Sequence, residues 1–159
     1  MYDVAVIGCG IVGAAAAYEL SRYNCRVLVL EAKNDVANVT TKANSAILHA
    51  GYDPTPGTLM AETNVRGVAL AKELCEKLDV EREEIGSLVL AFGEEDERHL
   101  EKLYQQGLAN GVPGIELLTA DEVHALEPNV SDKVTAALYA PTAAIVSPWE
   151  YALALAETA

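Results

Sequence analysis

Three glycines set seven residues into the chain, Gly8, Gly10 and Gly13, have the G-x-G-x-x-G spacing, and an acid, Glu31, follows about 20 residues later. The chemistry open to this set is the grip of a nucleotide. Gly8 permits a tight turn, Gly10 leaves bare backbone against a pyrophosphate, and Gly13 lets a following helix lie close to a sheet. Ile11 and Val12 offer backbone N–H groups. At a helix N-terminus such donors and the helix dipole favour an anion, so two phosphates can be held without a basic side chain. Glu31 would accept hydrogen bonds from ribose hydroxyls and repel the extra phosphate of NADP.

The elements that must position these residues are legible around them. Val4 to Ile7 is a short β-branched apolar run and reads as a buried strand of a parallel sheet. A helix rich in small residues follows through Ala14, Ala15, Ala16, Ala17, Glu19 and Leu20, ending near Tyr23-Asn24, with Asn24 expected in a left-handed conformation. Val27 to Leu30 is the second buried strand, closed by Glu31. Together these make a nucleotide-binding βαβ half.

Composition narrows the function classes. A net charge of −13 argues against nucleic acid as a partner and against an anionic membrane surface. No basic leader precedes the first strand and no apolar run reaches membrane-spanning length, so a cytoplasmic protein is expected. Cys9, Cys25 and Cys75 are odd in number and unpaired in spacing, which predicts reduced thiols and no metal. The last stretch, Pro148 to Ala159, is helical in pattern without a terminator, so the chain is expected to be an N-terminal fragment.

After a polar loop from Ala32 to Thr41, the run Thr40 to Pro54 packs hydroxyl and amide groups beside small residues and then turns apolar. Small polar groups let backbone approach a bulky planar ligand. His49 lies on this run, where a lone histidine is more often a hydrogen-bonded structural residue than a base. Downstream, Pro56 to Leu78 reads as a long helix ended by Asp79, Ser87 to Phe92 as a strand, and Glu94 to about Ala109 as a helix ended by Asn110-Gly111. Its acidic start is a solvated face. Gly114 to Leu118 and Val134 to Tyr139 read as strands flanking a helix capped by Thr119 and Glu122. Ser147, Pro148 and Glu150 predict a second capped helix.

The G-x-G-x-x-G turn, Leu30-Glu31 and the run Asn44-Ser45-Ala46-Ile47-Leu48-His49-Ala50-Gly51 together resemble the FAD-dependent oxidoreductases of the D-amino-acid-oxidase type. Within that superfamily the chain is most similar to the anaerobic glycerol-3-phosphate dehydrogenases and the L-2-hydroxyglutarate oxidases. Gly86 to Leu90, Leu126 to Asn129 and Ala140 to Val146 extend the similarity along the whole chain. The fold implied is α/β, a Rossmann-like FAD-binding βαβ domain over residues 1–79, part of an α+β substrate domain over 80–146, and a helix returning to the first domain over 147–159.

The resemblance implies FAD as cofactor, with Gly8, Gly10, Ile11, Val12 and Gly13 on its pyrophosphate and Glu31 on the adenosine ribose. Ala32 and Lys33 would border the adenine. Thr40, Thr41, Asn44, Ser45 and Ala46 would lie along the pyrophosphate and ribityl chain, with Gly51 and a catalytic His49 near the flavin ring. Two departures are present: Thr40-Thr41 stand where the superfamily often has Gly-Gly, and Ala46 stands where the group usually has glycine. The implied reaction is hydride transfer from glycerol 3-phosphate to flavin, a small anionic hydroxy substrate, with a quinone or partner subunit as electron acceptor. Attachment at the membrane through such a partner stays open. The rivals are oxidation of L-2-hydroxyglutarate or another 2-hydroxy acid, and a non-catalytic NAD-binding module; Asn44 to Gly51 has no evident task in the latter.

Overall fold

The computed structural model describes residues 1–159. The chain opens with strand β1 (Val4–Ile7), helix α1 (Ile11–Leu20) and strand β2 (Val27–Leu30), passes through a 3₁₀ turn at Thr40–Lys42, and reaches β3 (Ile47–Leu48). Helix α2 (Leu59–Lys77), β4 (Arg82–Glu83), β5 (Ser87–Ala91) and helix α3 (Glu94–Asn110) follow. The remainder is β6 (Glu116–Thr119), α4 (Ala120–Leu126), β7 (Ala136–Ala140), β8 (Ala144–Val146) and α5 (Pro148–Thr158). No helix is long and apolar enough to cross a membrane.

Two compact units emerge, one of residues 1–47, 72–82 and 146–159, the other of 48–71 and 83–145. In the first, β1 and β2 pair in parallel, with Val4 opposite Val27 and Ile7 opposite Leu30. Helix α1 connects them and packs against α5. Its small residues permit the close approach: Ala14 and Ala17 are buried, and a Cβ at Gly13 would overlap the Gly8 carbonyl oxygen. Cys9, Ala14, Tyr18, Leu74 and Leu155 form the core. Lys77 Nζ donates to the Tyr18 hydroxyl oxygen at 2.7 Å, and this ammonium and the nearby Arg22 hold the Tyr18 pKa below its ordinary value. Burial instead pushes Tyr151 up to about 12.

The second unit is built on an antiparallel sheet in the order β5-β7-β6. Alternation along β7 explains its layers. Leu138 and Ala140 join Leu100 and Leu103 of α3 in one cluster, while Ala137 joins Val123 of α4 in another, so the central strand is covered on both faces.

Helix ends follow the chemistry at their boundaries. Thr119 Oγ1 accepts from the Glu122 N–H while the Glu122 carboxylate accepts from the Thr119 N–H, completing the expected capping box. Gly111 takes the left-handed conformation beyond α3, and Asp79, at φ +54°, does so beyond α2. Five expectations need correction. Helix α2 begins at Leu59, because Thr55 to Thr58 form a turn through Gly57 (φ +79°) and Thr58 accepts from the Ala61 N–H. Helix α1 ends at Leu20, short of Tyr23. Asn24 is not left-handed; short turn bonds from Tyr23 to Leu20 and from Cys25 to Tyr23 redirect the chain instead. At α5 only half the expected box forms, with Ser147 Oγ accepting from the Glu150 N–H. Finally, β1 is not buried on both faces: Val4 and Val6 are half-buried, whereas Ala5 is exposed and Ile7 is 79% exposed.

Candidate nucleotide site

The glycine turn is shaped by its first member. Gly8 has φ +92°, a region side chains resist, and its N–H donates to the Leu30 carbonyl at 2.7 Å, which brings the end of β2 beside the turn. Glu31 then reaches back. Its carboxylate accepts from the Cys9 N–H at 2.7 Å and the Lys33 N–H at 2.8 Å, and these bonds, the first foremost, hold its pKa below the ordinary value. An ionised acid therefore sits against the turn, with lone pairs left for hydroxyl donors.

An open cleft of about 570 Å³ lies at the N-terminus of α1. Gly8, Gly10, Ile11, Val12 and Gly13 line one side, Thr40, Thr41 and Asn44 another, and Val6, Ile7 and Ala16 complete it. None of these side chains is charged. Nor does the first turn of α1 carry an acid, in a chain with 24 of them, whereas α2, α3, α4 and α5 all do. The electrostatics at this helix end are thus left to backbone amides, which suits a diphosphate.

Thr41 changes the expected donor set. Its Oγ1 accepts from the Ile11 N–H at 3.0 Å, across 30 residues of sequence, so one of the two amides singled out in the sequence is already engaged. Helix geometry leaves the Val12 and Gly13 N–H groups without an intrahelical acceptor. Thr41 is only 9% exposed, and a Cβ at Gly10 would stand 3.1 Å from its hydroxyl. Spacing gave no sign of this cap.

The polar run is held by its own amide. Asn44 Nδ2 donates to the Thr40 carbonyl at 3.2 Å and the Thr41 carbonyl at 2.7 Å, while its Oδ1 accepts from the Ala46 N–H at 2.8 Å. Ala46 is forced to φ +63°, the conformation that a glycine would take without strain, and its carbonyl accepts from the Val146 N–H at 3.0 Å. Ala32, Lys33, Thr40 and Ser45 are exposed. Cys9 supplies both the amide that fixes Glu31 and the carbonyl that fixes buried Ala37 at φ +56°. Its thiol is pushed up by burial and by Glu31.

His49 and Gly51 belong to the second unit. His49 is exposed and Gly51 buried, at φ +107°. The three cysteines are free thiols, and no cluster of acids, histidines and cysteines is arranged to hold a metal.

Comparison with known proteins gives these features a context. Residues 3–159 match the family described as FAD dependent oxidoreductase. A glycerol 3-phosphate dehydrogenase of Caloramator mitchellensis is 52% identical over 159 residues, 100% of this chain and 33% of that protein. A mitochondrial L-2-hydroxyglutarate dehydrogenase of Dictyostelium discoideum is 34% identical over 149 residues, 92% of this chain and 33% of that protein. Among solved structures, the L-alpha-glycerophosphate oxidase of Mycoplasma pneumoniae with FAD bound superposes with a TM-score of 0.90 at 34% identity, covering 98% of this chain and 41% of that one. The chain spans about a third of the length of the curated relatives it matches. With the glycine turn, the uncharged cleft and the anchored acid, these matches establish that the chain belongs to the FAD-dependent oxidoreductase family and that FAD is its cofactor.

Proposed function

We propose that the chain supplies the adenosine and pyrophosphate grip of a flavoprotein dehydrogenase acting on glycerol 3-phosphate. The observation that carries the substrate is the 52% identity to a glycerol 3-phosphate dehydrogenase over every residue of the chain. The cleft fits the cofactor. Val12 and Gly13 would donate backbone N–H groups to the pyrophosphate, Gly8 and Gly10 would leave it room, and Thr41 would hold the helix end open to it. Glu31 would accept from the ribose hydroxyls, with Ala32 and Lys33 at the adenine. Thr40, Asn44, Ser45 and Ala46 would line the path toward the ribityl chain, and His49 and Gly51 the flavin ring. Residues 1–79 and 147–159 would make the FAD-binding part and 80–146 part of the substrate domain, an assignment by function that differs from the compact units, in which 48–71 pack with 83–145.

Bound FAD supplies a hydride acceptor for the carbon that bears the substrate hydroxyl. His49 takes the hydroxyl proton as that carbon loses its hydride, so the secondary alcohol becomes a ketone. A quinone or partner subunit would serve as the final electron acceptor. A second reading, oxidation of L-2-hydroxyglutarate, is favoured by the 34% identity to such a dehydrogenase. The test is anaerobic bleaching of the flavin in the FAD-loaded protein with the two substrates in parallel. Bleaching by glycerol 3-phosphate is expected; bleaching by hydroxyglutarate alone would replace the first reading with the second.

A further inference from the structure

The loop from His49 to Pro54 in the second unit lacks a strand or helix to satisfy its carbonyls, yet nearly all of them are held. Asn64 Nδ2, on α2, donates to the His49 carbonyl at 2.7 Å. Asn110 Nδ2, at the end of α3, donates to the Gly51 carbonyl at 2.9 Å and the Pro54 carbonyl at 2.8 Å. Gln106 Nε2, one turn earlier, donates to the Asp53 carbonyl at 3.0 Å and, more weakly, to that of Tyr52 at 3.4 Å. Every acceptor is a carbonyl, so the amide nitrogens must be the atoms facing the loop.

Steric fit reinforces these bonds. A Cβ at Gly51 would come within 2.5 Å of Val65 Cγ2, and one at Gly107 would overlap Ile115 Cδ1 and approach Tyr52 Cβ at 3.1 Å. Two glycines therefore let the loop lie against both helices. Ala50, Gly51 and Pro54 are buried as a result, while His49 stays exposed. A surface connection ordinarily leaves its carbonyls to water and keeps its freedom. Here that freedom is removed in the loop that begins at exposed His49. A proton acceptor gains from such restraint, because small misplacement of a reacting group costs rate steeply.

We propose that Asn64, Gln106 and Asn110 are positioning residues, whose side-chain amides clamp the His49–Pro54 backbone and thereby hold in place the main chain that carries His49. The role in turnover rests on the reading of His49 as proton acceptor; the clamp itself does not. Asn110→Leu and Gln106→Met remove the donors at nearly constant shape, and Gln106→Lys keeps a donor. Hydrogen exchange is measured at the amides of residues 50–53 and, as internal reference, along β7 in each variant of the chain. The two donor-free variants should speed loop exchange by about tenfold, the scale of the two modest hydrogen bonds that each removes, with β7 unchanged and Gln106→Lys close to wild type. Loop exchange that does not change, or that rises in step with β7, would overturn the clamp. In the FAD-loaded protein the donor-free variants should lower the limiting rate of flavin bleaching at saturating substrate about tenfold at unchanged substrate affinity. A weakened substrate affinity with the limiting rate intact would overturn the positioning role. His49→Gln is the separate control: an unchanged bleaching rate there refutes His49 as proton acceptor, and with it the catalytic purpose of the clamp, while loop exchange still judges the clamp on its own.

Discussion

Ala46 holds a backbone conformation that its own methyl group opposes. At φ +63° an alanine pays about 1–2 kcal/mol that glycine escapes, while glycine loses about 0.5–1 kcal/mol more conformational freedom on folding. Ala46→Gly should therefore stabilise the protein by about 0.5–1 kcal/mol, read as a rise of about 2 °C in Tm; a lower Tm would mean that the methyl is packed more usefully than it is strained. Glu31 gives a second residue-scale test. Its pKa is depressed by the Cys9 and Lys33 N–H groups, so its contribution is present above its ordinary value of 4.5 and is lost as pH falls below that through the folded value. Glu31→Ala should weaken FAD about ten- to a hundredfold at neutral pH in a titration of the apoprotein, and should flatten the loss of affinity on acidification. Equal affinity in the variant would place the adenosine elsewhere. Both residues illustrate what single letters can carry. Gly8 and Glu31 announce themselves because only glycine suits φ +92° and only an acid suits that strand end, whereas Ala46 is left-handed through the demands of Asn44 and Val146, which alanine as a letter does not signal.

At the scale of elements, the boundaries that were legible are those with local chemistry. The Thr119–Glu122 box and the Gly111 terminator are satisfied within three or four residues, so the sequence contains the whole of each. The N-terminus of α1 is different. Its N-cap, Gly10, has no side chain to offer, and the hydroxyl that engages Ile11 comes from Thr41. Removing that acceptor leaves a half-buried helix-end donor without its protein partner. Thr41→Val should cost about 1 kcal/mol in Tm-derived stability, within the range of lost N-caps, and Thr41→Ser should recover most of it. Equal melting of wild type and Thr41→Val would show that the bond contributes nothing. Helix α2 starts three residues later than the sequence pattern predicts for the complementary reason: Pro56 suits a first turn, but Gly57 at φ +79° breaks the helical path and Thr58 becomes the effective cap.

For the molecule as a whole, two opposed properties decide how it behaves alone. The parallel pair β1–β2 presents an unshielded face, where Ile7 is 79% and Leu30 48% exposed, and Val12 at the cleft is 80% exposed. The continuous apolar runs had suggested strands covered on both sides; the periodicity of a strand records what it tolerates, not which covering element is present. Such clustered apolar surface favours association. Against it stands a net charge of −13, which keeps copies apart at low ionic strength. Screening should tip the balance, since the Debye length falls from about 30 Å at 0.01 M salt to about 3 Å at 1 M. Sedimentation velocity of the 159-residue chain should therefore show larger species as salt rises, and again as pH approaches the isoelectric value near 4.5. Ile7→Glu places a carboxylate on the open face without touching the core, and should keep the chain monomeric across the salt series. If that variant associated as readily as wild type, the apolar face of β1 would not be the contact.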